Sequence, residues 1–168
     1  TEFYIAQNVE FKDVVAYATE YGGTAEISTN HYLDGNNFVN LLPDGLKNNA
    51  DVAAKFTTLA GLLEVVDYFE VEVTLTEGTA ISEEKAGYAP QSQVYLQDSN
   101  YSVGTWGSVI GNVGQPADGQ SKTGIAQHPM SLCKEWTSTT VGKIGIQMIN
   151  VMADTKLSGS YSIKVVLK

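Results

Sequence analysis

The 168-residue chain contains no arginine; its ten basic residues are all lysine, set against nineteen acids for a net charge of −9. A sequence-specific DNA or RNA reader of this size normally presents a basic face with arginine on base edges or phosphates, so the composition argues against one. Cysteine is reduced to Cys133, which excludes a disulfide framework within the chain and reads as a small buried hydrophobe. Two histidines and one cysteine, far apart, do not supply a zinc site. Charged residues make up 17% of the chain, below the roughly 25% of a typical soluble domain. No apolar run approaches the roughly 20 residues of a membrane helix. There is no initiating Met and no signal-peptide pattern. Because Thr1-Glu2-Phe3 is already strand-like, a longer precursor or an arm ahead of Thr1 is expected.

Hydrophobic residues make up 43%, enough for a core, and the length fits one domain over 1–168. Most of the chain has the period of strands. Phe3, Ile5, Val9 and Phe11 share one parity, with Asn8, Glu10 and Lys12 on the other. A second candidate spans 24–33 and stops at Asp34-Gly35-Asn36-Asn37; Leu41-Leu42-Pro43-Asp44-Gly45 is another stop. The cleanest alternation puts Phe69, Val71, Val73 and Leu75 on one face and Glu70, Glu72, Thr74 and Thr76 on the other. Further strands are expected at 93–97, within the glycine-rich 101–114, at 127–137, at 144–152 and from Tyr161 to Leu167. The 144–152 segment is apolar on both parities, as in a strand covered on both faces. Polar stretches at 82–90 and 115–124 read as loops, and 154–159 as a turn.

One segment has a different period. Val52, Phe56, Leu59, Leu63 and Val66 follow three-four spacing, with Asn48, Asn49 and Asp51 placed to cap the start. This predicts one helix over about 50–66, weakened at Gly61. Eight strands, one helix and no regular β-α-β alternation argue for an all-β fold, an eight-stranded antiparallel jelly-roll sandwich.

Constellations for chemistry are sparse. His128 and Cys133 lie five apart, an odd spacing that would place them on opposite faces of a continuous strand; His31 has no evident partner and no Gly-x-Ser-x-Gly elbow exists. The glycines from Gly104 to Gly114 lack the Lys-Ser/Thr and following helix of a phosphate loop, and read as turns and bulges. Asp13, the Asp34–Asn37 cluster and the pair Glu83-Glu84 are oxygen-rich, but none matches a known calcium loop. Asn100-Tyr101-Ser102 is a glycosylation triplet. No catalytic, cofactor-binding or metal-binding residue is assigned, and no cofactor beyond calcium at subunit interfaces.

The run from Phe56-Thr57-Thr58-Leu59 into Val65-Val66-Asp67-Tyr68-Phe69-Glu70-Val71-Glu72-Val73 resembles the helix-to-strand step of single-jelly-roll coat proteins of small icosahedral viruses. Gly159-Ser160-Tyr161-Ser162-Ile163-Lys164-Val165 looks like their last strand, and Ile144-Gly145-Ile146-Gln147-Met148 like their penultimate one. The resemblance covers about half the chain, and the length is similar to that of satellite-virus coats. Two features depart from the family pattern: there is no basic amino-terminal arm in the sequence, and no metal-binding acid motif. The resemblance implies a structural protein of the virion rather than an enzyme. Loops and sheet edges of about sixty copies, or a multiple, would pack into a closed shell around viral nucleic acid, with no membrane partner. The alternative from the residues is a lectin-like or carbohydrate-binding jelly-roll module, its Tyr and Trp stacking on sugars.

Overall fold

A computed structural model describes residues 1–15, 27–28, 31–32, 39–40, 50–56, 58–78, 91–98, 104–106, 108–109, 120–133, 142–149, 151–152 and 156–168. The stops at 34–37 and 41–45, the capping asparagines at 48–49, the loop at 82–90 with Glu83-Glu84, the triplet at 100–102 and most of the glycine-rich 101–114 and polar 115–124 segments lie outside the described residues.

Twelve strands are described: β1 (Glu2–Val15), β2 (Ile27–Ser28), β3 (His31–Tyr32), β4 (Val39–Asn40), β5 (Val66–Glu77), β6 (Gln91–Asp98), β7 (Gly104–Trp106), β8 (Ser108–Val109), β9 (Lys122–Pro129), β10 (Gly142–Ile149), β11 (Val151–Met152) and β12 (Lys156–Leu167). All their pairings are antiparallel. One sheet runs β1-β12-β5-β9-β8; a second runs β3-β10-β6-β7, with β4 also on β10; β11 and β2 form a separate pair. The protein is therefore all-β, with little helix.

Hydrophobic alternation builds the first sheet. Phe69, Val71, Val73 and Leu75 of β5 are fully buried, beside Ile163 and Val165 of β12 and Ala126 of β9. The opposite parity of β5 faces outward, as its sequence demands. In the second sheet Val94, Tyr95 and Leu96 are buried in succession, as are Ile144, Gly145 and Ile146, so these stretches are covered on both faces. Burial of this size supplies the main stabilisation, at roughly 25 cal/mol for each Å² of apolar surface removed from water.

The single helix expected over 50–66 is two short ones, α1 (Ala50–Lys55) and α2 (Leu59–Val65). Thr58 separates them in extended conformation, and its hydroxyl accepts the Gly61 N–H at 3.0 Å, an N-cap for α2. Gly61 is a structural requirement rather than a weak spot. A Cβ there would sit 2.3 Å from the Lys55 carbonyl oxygen, so its absence lets α2 turn tightly under the end of α1. Of the expected stripe, Phe56, Leu59 and Val66 are buried, while Val52 and Leu63 are only partly so; Leu62, outside the stripe, is buried in Leu63's place. Val66 itself begins β5.

Boundaries of three strands also shift. β9 starts at Lys122, inside the expected loop, because Lys122 and Thr123 pair with Leu75 and Thr74. It stops at Pro129 and passes into a 3-10 turn over Met130–Cys133, replacing the strand expected through 137; residues 134–137 lie outside the described ones. β12 begins at Lys156, within the expected turn, and β6 extends the strand read at 93–97 to Gln91–Asp98.

The simple alternation of β1 is broken. Its register against β12 shifts between Tyr4 and Ala6, between Ala6 and Val9, and between Phe11 and Val14. Asn8 and Asp13 adopt positive φ, 49° and 53°. Their N–H groups donate to Ser162 Oγ and Ser158 Oγ, both at 3.0 Å. These are bulges built on Asn and Asp, the non-glycine types that best tolerate left-handed backbone. Val9, placed by sequence with Phe11 on the apolar face, is 37% exposed.

Candidate functional site

The residues singled out for nucleophilic chemistry fall on different elements. His128, on β9 opposite Phe69, is fully buried, and Cys133 is fully buried in the 3-10 turn. The opposite-face argument does not apply to them, since the strand ends at Pro129 between the two. His31 lies in the other sheet, on β3 opposite Met148. Among the described residues no group of three or more His, Cys, Asp or Glu side chains is arranged to hold a metal ion. Asp13 is exposed and serves the second bulge.

The organised polar surface is the outward face of β1-β12-β5-β9. Antiparallel register lines up residues that point the same way. One row runs Tyr4, Lys164, Glu70, Gln127. The next sets Ser162, Glu72 and Ile125 side by side, and the one after that Glu10, Ser160, Thr74 and Thr123. Lys164 Nζ lies 3.1 Å from Glu70 Oε2 and 3.3 Å from Glu2 Oε1, so one half-buried cation bridges two acids. The Gln127 amide donates to Glu70 Oε1 at 2.7 Å, and Thr74 and Thr123 hydroxyls meet at 2.9 Å. The Lys164 ammonium is held above its ordinary pKa, first by the hydrogen bond to Glu70 and then by the charges of Glu70 and Glu2; partial burial opposes this.

Beside this network the bulge at Asn8 opens a concavity of about 120 Å³, lined by Tyr4, Gln7, Asn8, Glu70, Glu72, Ser162 and Lys164. The Tyr4 ring is 49% exposed at its rim. At the helical end of the molecule, Lys168 Nζ donates to the Leu63 carbonyl at 2.8 Å, a cation on the negative end of α2. The sequence marked the polar parity of β5, but not which residues of β1, β9 and β12 would join it. That depends on register between strands, which for β1 the bulges also shift.

No protein-family model matches the chain, and no curated protein matches it. Two solved structures that match at low identity are viral capsid proteins. The VP2 subviral particle of infectious bursal disease virus has a TM-score of 0.35 at 11% identity, over 98% of this chain and 31% of that one. The pentamer of Israel acute paralysis virus has a TM-score of 0.23 at 9% identity, over 97% of this chain and 66% of that one. The chain thus spans less than a third of the first structure's length and about two thirds of the second's. At scores this low, function is read from strand order and side-chain placement within the chain itself.

Proposed function

We propose that this chain is a structural coat protein, a single jelly-roll shell domain over 1–168 that assembles with copies of itself into a closed icosahedral particle. The observation that carries the reading is strand order. The first long strand lies beside the last, and the last lies between the first and β5, giving β1-β12-β5-β9 in one sheet. The other sheet interleaves in the same way, as β3-β10-β6-β7. Taking β3 with β4 as one interrupted strand, and leaving aside the short edge strand β8 and the β2-β11 pair, this order supports the eight-stranded jelly-roll reading, an architecture used by viral capsid and lectin domains.

The outward face favours assembly over catalysis. Its polar groups bond to one another across four strands and do not converge on a reacting centre. Particles of about sixty copies, or a multiple, follow from closed symmetry, as in small satellite-virus-like coats. Packaged viral nucleic acid would meet an acidic, arginine-free chain, so its contacts would be weak unless a basic arm supplies them. Calcium bridging carboxylates between copies belongs to the same reading.

Light scattering and negative-stain imaging of the purified protein test this. Megadalton closed particles are expected; a monodisperse monomer or dimer would sink the coat reading. The exposed Tyr4 ring beside a polar concavity favours a second reading, a carbohydrate-binding module, which predicts that monomer together with saturable binding on a glycan array lost in Tyr4→Ala.

A further inference from the structure

We propose that the long edge strand β1 is built to refuse strand pairing with a second copy, so that copies of this chain meet elsewhere than along it. The inference deepens the coat reading, on which it rests, by naming a contact that assembly avoids. An unpaired strand edge is a template for another chain, and long, flat edges lead to open-ended association. Interior pairings here are regular. β12 and β5 run in unbroken register from Gly159–Leu75 to Val166–Tyr68, and β5 and β9 from Tyr68–Pro129 to Leu75–Lys122.

The β1 edge differs. β1 has 14 residues, and among the described residues it has no strand partner on its outer side. It is also the strand whose register shifts three times and whose backbone turns left-handed at Asn8 and Asp13. At both bulges the N–H is drawn to a serine of β12. Glu10, Lys12 and Asp13 are exposed along the same stretch. A second β1 laid alongside would have to reproduce each kink and bring these charges together. The long edge is thus kinked and charged.

The test removes the guards and watches for filaments. Asn8→Val places a β-branched residue where φ is 49°, which forces the strand to flatten; Asn8→Gly keeps the bulge and is the control. Glu10→Val with Lys12→Val removes edge charge without touching the bulge. Thioflavin fluorescence and negative stain are read at equal concentration, with circular dichroism as the check on folding. Expected are filaments from Asn8→Val and from the double variant, growing at least tenfold faster than wild type, while Asn8→Gly stays like wild type. A folded Asn8→Val that forms none overturns the proposal. If Asn8→Val does not fold, a folded double variant that forms none overturns it instead. Wild-type particle size is a separate readout: absent shells remove the coat reading, whereas absent filaments remove only the guarded edge.

Discussion

At the scale of single residues, parity on β5 makes opposite demands on neighbours. Val71 is fully buried between Ile163 and Ala126, so Val71→Asp buries a carboxylate with no partner. A loss of at least about 3 kcal/mol is expected, enough to unfold a marginal domain. Thr74 lies on the outward face against Thr123, and Thr74→Asp should cost less than about 1 kcal/mol. Urea titration of both variants reads the difference; equal losses would contradict the facing of β5. Lys164 gives a pH signature. Its pKa in the folded protein is raised above the ordinary 10.5. Its stabilisation is therefore fully present below that value and is lost as pH rises through the raised one. Melting temperatures from pH 9 to 12 should converge between wild type and Lys164→Met at the alkaline end. The gap below pH 10 should be under about 1 kcal/mol, since the acids remain partly hydrated.

At the scale of elements, β5 was legible because nothing interrupts its alternation. The second half of β12 was legible for the same reason. What failed did so where a local side-chain bond or a close approach overrides period. Three-four spacing runs continuously from Val52 to Val66, yet Thr58 takes the Gly61 N–H and ends one helix to begin another. Thr58→Ala should cost about 1 kcal/mol, and Gly61→Ala more, because its Cβ meets the Lys55 carbonyl, which is backbone and cannot swing away. A lower melting temperature in Gly61→Ala than in Thr58→Ala checks that order. In β1 the odd-parity pattern of Phe3, Ile5, Val9 and Phe11 conceals the bulges, which only register reveals. The polar start of β9 looked like loop because Lys122 and Thr123 lie at the sheet's wet end. The outward polar face was half legible: its residues on β5 followed from alternation, but its partners did not.

At the scale of the whole molecule, in the proposed shell the net charge of −9 on each copy would crowd like charge wherever copies meet. Acids facing one another across contacts would have raised pKa values. Their penalty is absent below the unassembled pKa, grows as pH rises through it and is complete above the raised value. Shells should accordingly loosen toward alkaline pH at low ionic strength. Salt should tighten them, since about 0.1 M screens beyond roughly 10 Å. Light scattering from pH 5 to 9, with calcium or a chelator, measures this. A particle size flat across the whole series would place the acids away from the contacts.

The position of β12 also has a consequence in time. This strand joins β1 to β5, and Leu167 N–H reaches the Thr1 carbonyl at 2.9 Å, yet in the sequence it follows every other described strand, so its residues leave the ribosome after theirs. Until they emerge, β1 and β5 cannot share a sheet, and the growing chain holds two unfinished ladders separated by the slot for the missing strand. Such distant pairing is slow to nucleate, because loop closure precedes any reward from contact. The first sheet thus cannot close until β12 has emerged, and the nascent chain is most exposed to wrong partners just before that point.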